Sequence, residues 1–402
     1  MAELRVAVPR LRAHPGPAIL AYGFRPFFLA AAVWAVVSLA LWLAFLEGAP
    51  VVASAFDPLL WHAHEMIFGF VGAAITGFLL TAIPNWTGRM PLQGWPLLGL
   101  VSLWLAGRIV VAVSASIGAA PAAVIDLVFY AAVLAVVVRE VIAGKNWRNL
   151  IMVAAVATFL AANALMHAEA MGLAETAQLG WRLGVSVAVM LIALIGGRII
   201  PSFTRNWLAK REAPRLPAPF RGIDRATLIV TLVALIAWTL SPESPVTAVL
   251  ASVAAIANLV RLARWEGHAT WAEPLVLILH LGYAWIWIGF ALLAAGIFSP
   301  AVPPIVAVHA FSAGAMATMI MAVMTRATLG HTGRTLHAGA ATSILYVLVT
   351  AAAILRVAAS LLPAFYHPLL MTSGLAWLAA FLGYAAVYGP MLLRPRPDGK
   401  PG

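Results

Sequence analysis

Twelve stretches of this 402-residue sequence are apolar for roughly the ~20 residues that a helix needs to cross a bilayer, and no other feature limits its fold so strongly. They run over residues 25–46, 58–83, 96–117, 121–141, 150–171, 180–203, 225–241, 246–263, 272–297, 304–326, 340–361 and 367–391. In hydrocarbon every backbone N–H and C=O must be satisfied inside the protein, which leaves only helices and closed barrels. The runs are uniformly apolar or helical in period, and Ala and Gly are interspersed with Val, Ile and Phe as close helix packing requires, so an all-α integral membrane protein is predicted. Composition agrees: 63% of residues are hydrophobic and 10% charged, against ~25% charged in soluble domains. The chain reads as one twelve-helix domain, 1–402, with a proline-bearing loop at 204–224 and a tail at 392–402.

Charge orients the bundle. Lys and Arg collect in cytoplasmic loops, and here every second connection is basic. Arg5, Arg10 and Arg12 precede the first span and Arg89 follows the second. Arg139, Lys145 and Arg148 surround the next basic connection, and Arg205 to Arg225 fill the long loop. Arg261 and Arg264, Arg326 and Arg334, and the tail Arg394, Arg396 and Lys400 complete the series. Glu47, Asp57, Glu175 and Glu243 occupy the alternate loops. Both termini are therefore expected in the cytoplasm. The net charge of +11 is spread over separate loops, which argues against nucleic-acid binding. No cleaved signal peptide is expected, since the basic start runs into a full span without a small-residue cleavage site. With no cysteine, disulfides, iron–sulfur clusters, thiolate-ligated haem and covalent haem attachment are excluded, and a metal must be held by His, Met, carboxylate or a non-covalent cofactor.

Residues 61–89, WHAHEMIFGFVGAAITGFLLTAIPNWTGR, align without a gap on 306–334, VAVHAFSAGAMATMIMAVMTRATLGHTGR. His64 falls on His309, Gly69 on Gly314, and Thr87, Gly88 and Arg89 on Thr332, Gly333 and Arg334. IPSFTR at 200–205 resembles IPNWTG at 83–88, with Trp181 at the histidine's place, so spans two, six and ten are expected to mark three four-helix units in a pseudo-threefold arrangement.

His64 and His309 lie at one depth, about 8–10 Å below the outer start of their helices at ~1.5 Å per residue. Two imidazoles in one layer could reach opposite faces of a haem. His62 and His64 are separated by ~200° of helical rotation and point to opposite sides, so one helix could serve two sites. His167, with Glu169 close by, is near the same layer; His280 lies deeper. The alternative for His167 and His280 is an ordinary hydrogen-bonded packing role. Arg108, in the third span, needs an anionic partner, either a cofactor propionate or Asp126. Glu65 could orient a neighbouring imidazole or lie at headgroup level. Met316, Met319, Met321 and Met324 offer thioethers that suit Cu(I) or simply fill the core. His14, His268, His331 and His337 are placed in loops or tails.

GFRPFFLAA at 23–31, WHAHEM at 61–66, the IPNWTGR and IIPSFTRNW ends and HAFSAGAMATMIMAVMTRATLGHTGR at 309–334 resemble the NnrS family of haem- and copper-containing bacterial membrane proteins, over nearly the whole chain. The resemblance implies twelve helices, one or two b-type haems, copper, and a role in the response to nitric oxide alongside denitrification or nitrosative-stress defence. The three-unit pattern is also similar to the catalytic subunit of haem-copper oxidases, but the sixth span lacks a ligand histidine, the seventh has no adjacent His pair, and the H-x-H is on span two.

Two classes of function follow. In one, the protein binds haem b and reacts with, reduces or senses nitric oxide, with His64 and His309 as axial pair, His62 at a second site, and an electron donor not specified by the sequence. In the other, the repeats form a transporter or electron carrier with histidines at a substrate or proton site.

Overall fold

The computed structural model describes residues 14–50 and 52–401; Arg5, Arg10 and Arg12 of the charge argument lie outside the described residues. Twelve helices among them are long and apolar enough to span a membrane, and there is no strand. They are α1 Phe24–Leu46, α2 Pro58–Thr87, α3 Trp95–Ala112, α4 Ala119–Ala143, α5 Trp147–Ala170, α6 Ala177–Ala209, α7 Gly222–Leu240, α8 Pro245–Ala263, α9 Pro274–Phe298, α10 Ile305–His331, α11 Ala340–Leu361 and α12 Pro363–Leu393. Each coincides with one apolar run. Several boundaries shift by a few residues from expectation, and three of the differences change the reading. The third helix ends at Ala112 rather than 117, because the backbone turns at Val113 (φ −112°) and starts a separate short turn, Ser114–Ile117. The loop after α6 begins at Lys210, since the helix continues to Ala209. His331 closes the last turn of α10 instead of lying in a loop.

The repeat between α2 and α10 extends to the backbone. Both helices widen into a π-helical segment, Glu65–Val71 in α2 and Ala310–Met316 in α10, at the same offset that aligns His64 with His309. The N–H of Gly72 reaches the Ile67 carbonyl and that of Ala317 the Ser312 carbonyl, each five residues back. The matched glycines serve matched purposes. A Cβ on Gly69 would fall 2.3 Å from the Trp34 indole nitrogen, and one on Gly314 would fall 2.5 Å from the Trp285 ring, so in each case a Trp of the preceding helix occupies the space that glycine leaves open. The TGR match also has a conformational cause: Gly88 and Gly333 are both left-handed, φ +68° and +72°, and end their helices. α6 shares the internal proline (Pro201 beside Pro84). It has Arg205 where the others have glycine, and accordingly it does not stop there. Its π-helical segment lies further along, at Ile192–Gly196.

The helices pack as two units. The first contains the described chain up to Gly184 together with Ala327–Thr335 and Phe381 onward; the second contains Val185–Arg326 and Leu336–Ala380. In the first unit the arginine of the GFRPFF motif has a structural role. Arg25 is fully buried, and its Nη1 donates to the carbonyls of Met391, Leu392 and Arg394 at 3.3, 2.9 and 2.9 Å, satisfying acceptors that the end of α12 leaves open. In the second unit Arg261 of α8 is the buried cation. It donates to Asp224 of α7 at 3.1 Å, to Tyr283 of α9 at 3.0 Å, and to the Ala193 carbonyl in the π-helical segment of α6 at 2.9 Å.

Candidate metal centre

The π-helical segment of α2 begins immediately after His64, and the carbonyls inside it are held from outside the helix. The Tyr130 hydroxyl of α4 donates to the Phe68 carbonyl, and the Trp104 indole of α3 donates to Gly69 at 3.1 Å. These contacts fix α3 and α4 against α2 at the level of the histidine. α2 itself starts cleanly because Asp57 accepts from the Leu59 N–H at 2.9 Å and Pro58 occupies the first helical position.

Around His64 five polar side chains from four helices close on one another, all fully or almost fully buried: Glu65 of α2, Arg108 of α3, Asp126 of α4, and Asn163 and His167 of α5. His64 donates through Nδ1 to Glu65 at 2.9 Å. Its Nε2 faces Asn163 Oδ1 at 2.8 Å and Asp126 Oδ2 at 3.3 Å. His167 Nε2 lies 3.0 Å from the same Asp126 oxygen, and the Asn163 amide donates to it at 2.7 Å. Arg108 bridges the two acids, donating to Glu65 at 2.8 Å and to the other oxygen of Asp126. The arginine's partner is thus Asp126 together with Glu65, and Glu65 orients the imidazole rather than lying among headgroups.

The hydrogen-bond sense at His64 is informative. Both ring nitrogens face oxygens, and a neutral imidazole has only one N–H. Charge points the same way: two carboxylates and one guanidinium leave the buried cluster one positive charge short. A proton on His64 or a bound cation meets both requirements, and leaving a buried charge uncompensated is costly. Among the described residues, His64, Asp126 and His167 form the group whose ligand atoms all lie within 4.8 Å of one another. The donor separations of 3.0 and 3.3 Å to Asp126 Oδ2 are close to the ~3.4 Å edge of a tetrahedron with ~2.1 Å metal bonds. One small ion therefore fits. Haem fits His64 less well, because the Phe56 and Phe68 rings lie 4.9 and 5.2 Å from its own and would have to part to admit so large a group.

The other sequence candidates are elsewhere. His62 points away from His64, as the helical rotation requires, and stacks on Trp42 of α1 at 4.5 Å. His309, in the second unit, directs Nδ1 to the Ile305 carbonyl at 2.9 Å and is half-buried. His280, also in the second unit, is buried with Nε2 2.8 Å from the Thr204 hydroxyl. The four α10 methionines are all core residues. Sequence reasoning named Asp126 only as a partner for Arg108 and passed over Asn163. Their signal was present, because an ionisable or amide side chain within an apolar span is itself a functional pointer.

The sequence model of one family, described as NnrS protein, matches residues 18–396. No curated protein matches the chain significantly.

Proposed function

The chain belongs to the NnrS family, whose model covers nearly all of it, and from that premise we propose that it is a multi-pass metalloprotein of the bacterial inner membrane serving the nitric oxide response, with one metal ion at His64, Asp126 and His167. The observation that carries this reading is the convergence of two imidazoles on one oxygen of Asp126 inside a buried cluster that lacks one positive charge. Two imidazoles and one carboxylate suit a first-row ion such as copper or iron. A redox-active ion held there would offer an open position to a small diatomic ligand.

The protein's own groups supply the rest. Glu65 fixes the orientation of His64, Arg108 fixes both carboxylates, and the Asn163 amide holds Asp126. Such hydrogen-bonded support is what makes a metal site selective. With the termini in the cytoplasm, the cluster lies in the outer half of the bilayer, six residues into α2, where an uncharged, lipid-soluble gas needs no polar channel. Haem b, implied by the family, would be held outside this centre, with His62, His309 and His280 as the candidate histidines.

Metal analysis of purified protein tests the reading. About one ion per chain is expected from a single three-donor site, lost in His167→Ala and Asp126→Asn and kept in His62→Ala. Cells lacking the protein should grow normally in air but poorly under nitric oxide, and the His167→Ala gene should not restore them. Equal metal content in all these proteins would remove the assignment. Full rescue by His167→Ala would separate the centre from the nitric oxide response.

A further inference from the structure

We propose that Phe56 is the gate of this centre, setting how fast ions and water-borne reagents reach His64 and His167; the inference deepens the metal-binding reading above and rests on it for the identity of the ligand. Phe56 lies on the loop that leads into α2, two residues before Pro58, and is 6% exposed. Its ring is 4.9 Å from that of His64 and 5.2 Å from that of His167. One aromatic side chain thus covers both imidazoles at the end of the unit where α2 begins and α5 finishes.

The covering is held in a way that permits opening. The loop is pinned to the chain just beyond α3 by a few hydrogen bonds. Ser114 Oγ accepts from the Ala55 N–H at 2.8 Å and lies 3.3 Å from Ser54 Oγ, and the Ala115 N–H donates to the Ala53 carbonyl at 2.7 Å. Ser54 Oγ in turn accepts from the Phe56 N–H at 3.2 Å. The aromatic on the other side of His64 is of a different kind. Phe68 belongs to the π-helical segment, packs on Phe159 at 4.9 Å, and has its carbonyl held by Tyr130. Moving Phe68 requires unwinding a spanning helix, whereas moving Phe56 requires only the release of a surface loop. Local openings of that kind lie at the low end of a protein's free-energy scale. A phenyl ring also discriminates by chemistry: a hydrated ion or chelator cannot pass while the ring is seated, but a small uncharged molecule arriving through lipid need not use this route.

The test compares wild type, Phe56→Ala and Ser114→Ala, the last loosening the loop while keeping the ring. In the first arm, copper-loaded proteins are challenged with EDTA. All three should hold the same amount of copper at the start, with release about tenfold faster in Phe56→Ala and severalfold faster in Ser114→Ala, as expected for a destabilised local closure. In the second arm, metal-free proteins are treated with diethylpyrocarbonate and the modified histidines located by mass spectrometry. His167 and His64 should react faster in both variants, while His62, on the opposite face of α2, reacts at the wild-type rate. Equal rates across the three proteins in either arm overturn the gate. A wild type that takes up no copper overturns the metal reading instead, and the second arm still decides on Phe56.

Discussion

Arg108→Met removes the one cation that two buried carboxylates share, and its cost follows from the geometry. The guanidinium lies 2.8 Å from Glu65 and also contacts Asp126. At an effective dielectric of about 20, unit charges roughly 3 Å apart attract by about 5–6 kcal/mol. Desolvation takes back part of this, and loss of one member of such a buried pair costs about 3–5 kcal/mol net. The charge count then gives a sharper prediction. Arg108→Met raises the excess of negative charge by one, and adding Glu65→Gln returns it to the wild-type value. The double variant should therefore be more stable than Arg108→Met alone, and the two substitutions should couple by about 0.5–3 kcal/mol, the usual range within one polar network. SDS titration of the protein in mixed micelles, followed by tryptophan fluorescence, measures all four corners of the cycle. If the two losses simply add, so that the double variant is the least stable of the set, the cluster is not governed by charge balance and the argument for a missing cation falls with it.

Arg25→Gln should cost about 1.5–3 kcal/mol, the value of a charged hydrogen-bonding group, and should make the end of α12 the first region to exchange its amide hydrogens. Gly88→Ala and Gly333→Ala should each cost about 1–2 kcal/mol, because an L side chain resists the left-handed conformation; thermal unfolding in detergent reads this, and a neutral effect would mean that the turns relax. A reporter fused at residue 215 should be cytoplasmic, and a periplasmic signal would invert the depth assigned to the centre. In the tail, the hydrogen bond from Arg396 holds the Asp398 carboxyl down at about 2, below the ordinary ~3.9. A folded-state value lowered in this way favours the Arg396–Asp398 contact above the ordinary carboxylate range and loses it as pH falls through about 2. With no native cysteine, a spin label on Lys400→Cys should show constant mobility from about pH 7 to pH 4; loosening within that range would mean that another group holds the tail.

Much of this fold was legible because membrane spans follow from length and hydropathy alone, and because the repeat placed polar residues at one fixed offset in apolar surroundings. Gly88 and Gly333 could be matched as letters, and the structure supplies their reason in a shared left-handed turn. The centre was legible only in part. His64, His167 and Arg108 stood out as costly residues in lipid, but their meeting depends on how α2, α3, α4 and α5 rotate, and a single sequence does not fix those rotations. Asn163 and Asp126 were within reach, since amide and acid groups in spans are as unusual as histidines. Phe56 was not, because an aromatic in a loop has no distinguishing pattern. The π-helical segments were equally hidden, as five-residue backbone bonding carries no characteristic residue.

Those segments fix the angle at which each helix presents the residues beyond them. A π-helical turn stores one residue more than an α-helical turn, as a local widening of the helix. α2 and α10 store it at equivalent positions, Glu65–Val71 and Ala310–Met316, although few of the side chains there are shared. α6 holds its own widening further along, at Ile192–Gly196. Deleting one residue from either segment would restore regular α-helix only by turning everything beyond it through about 100°, away from its present partners.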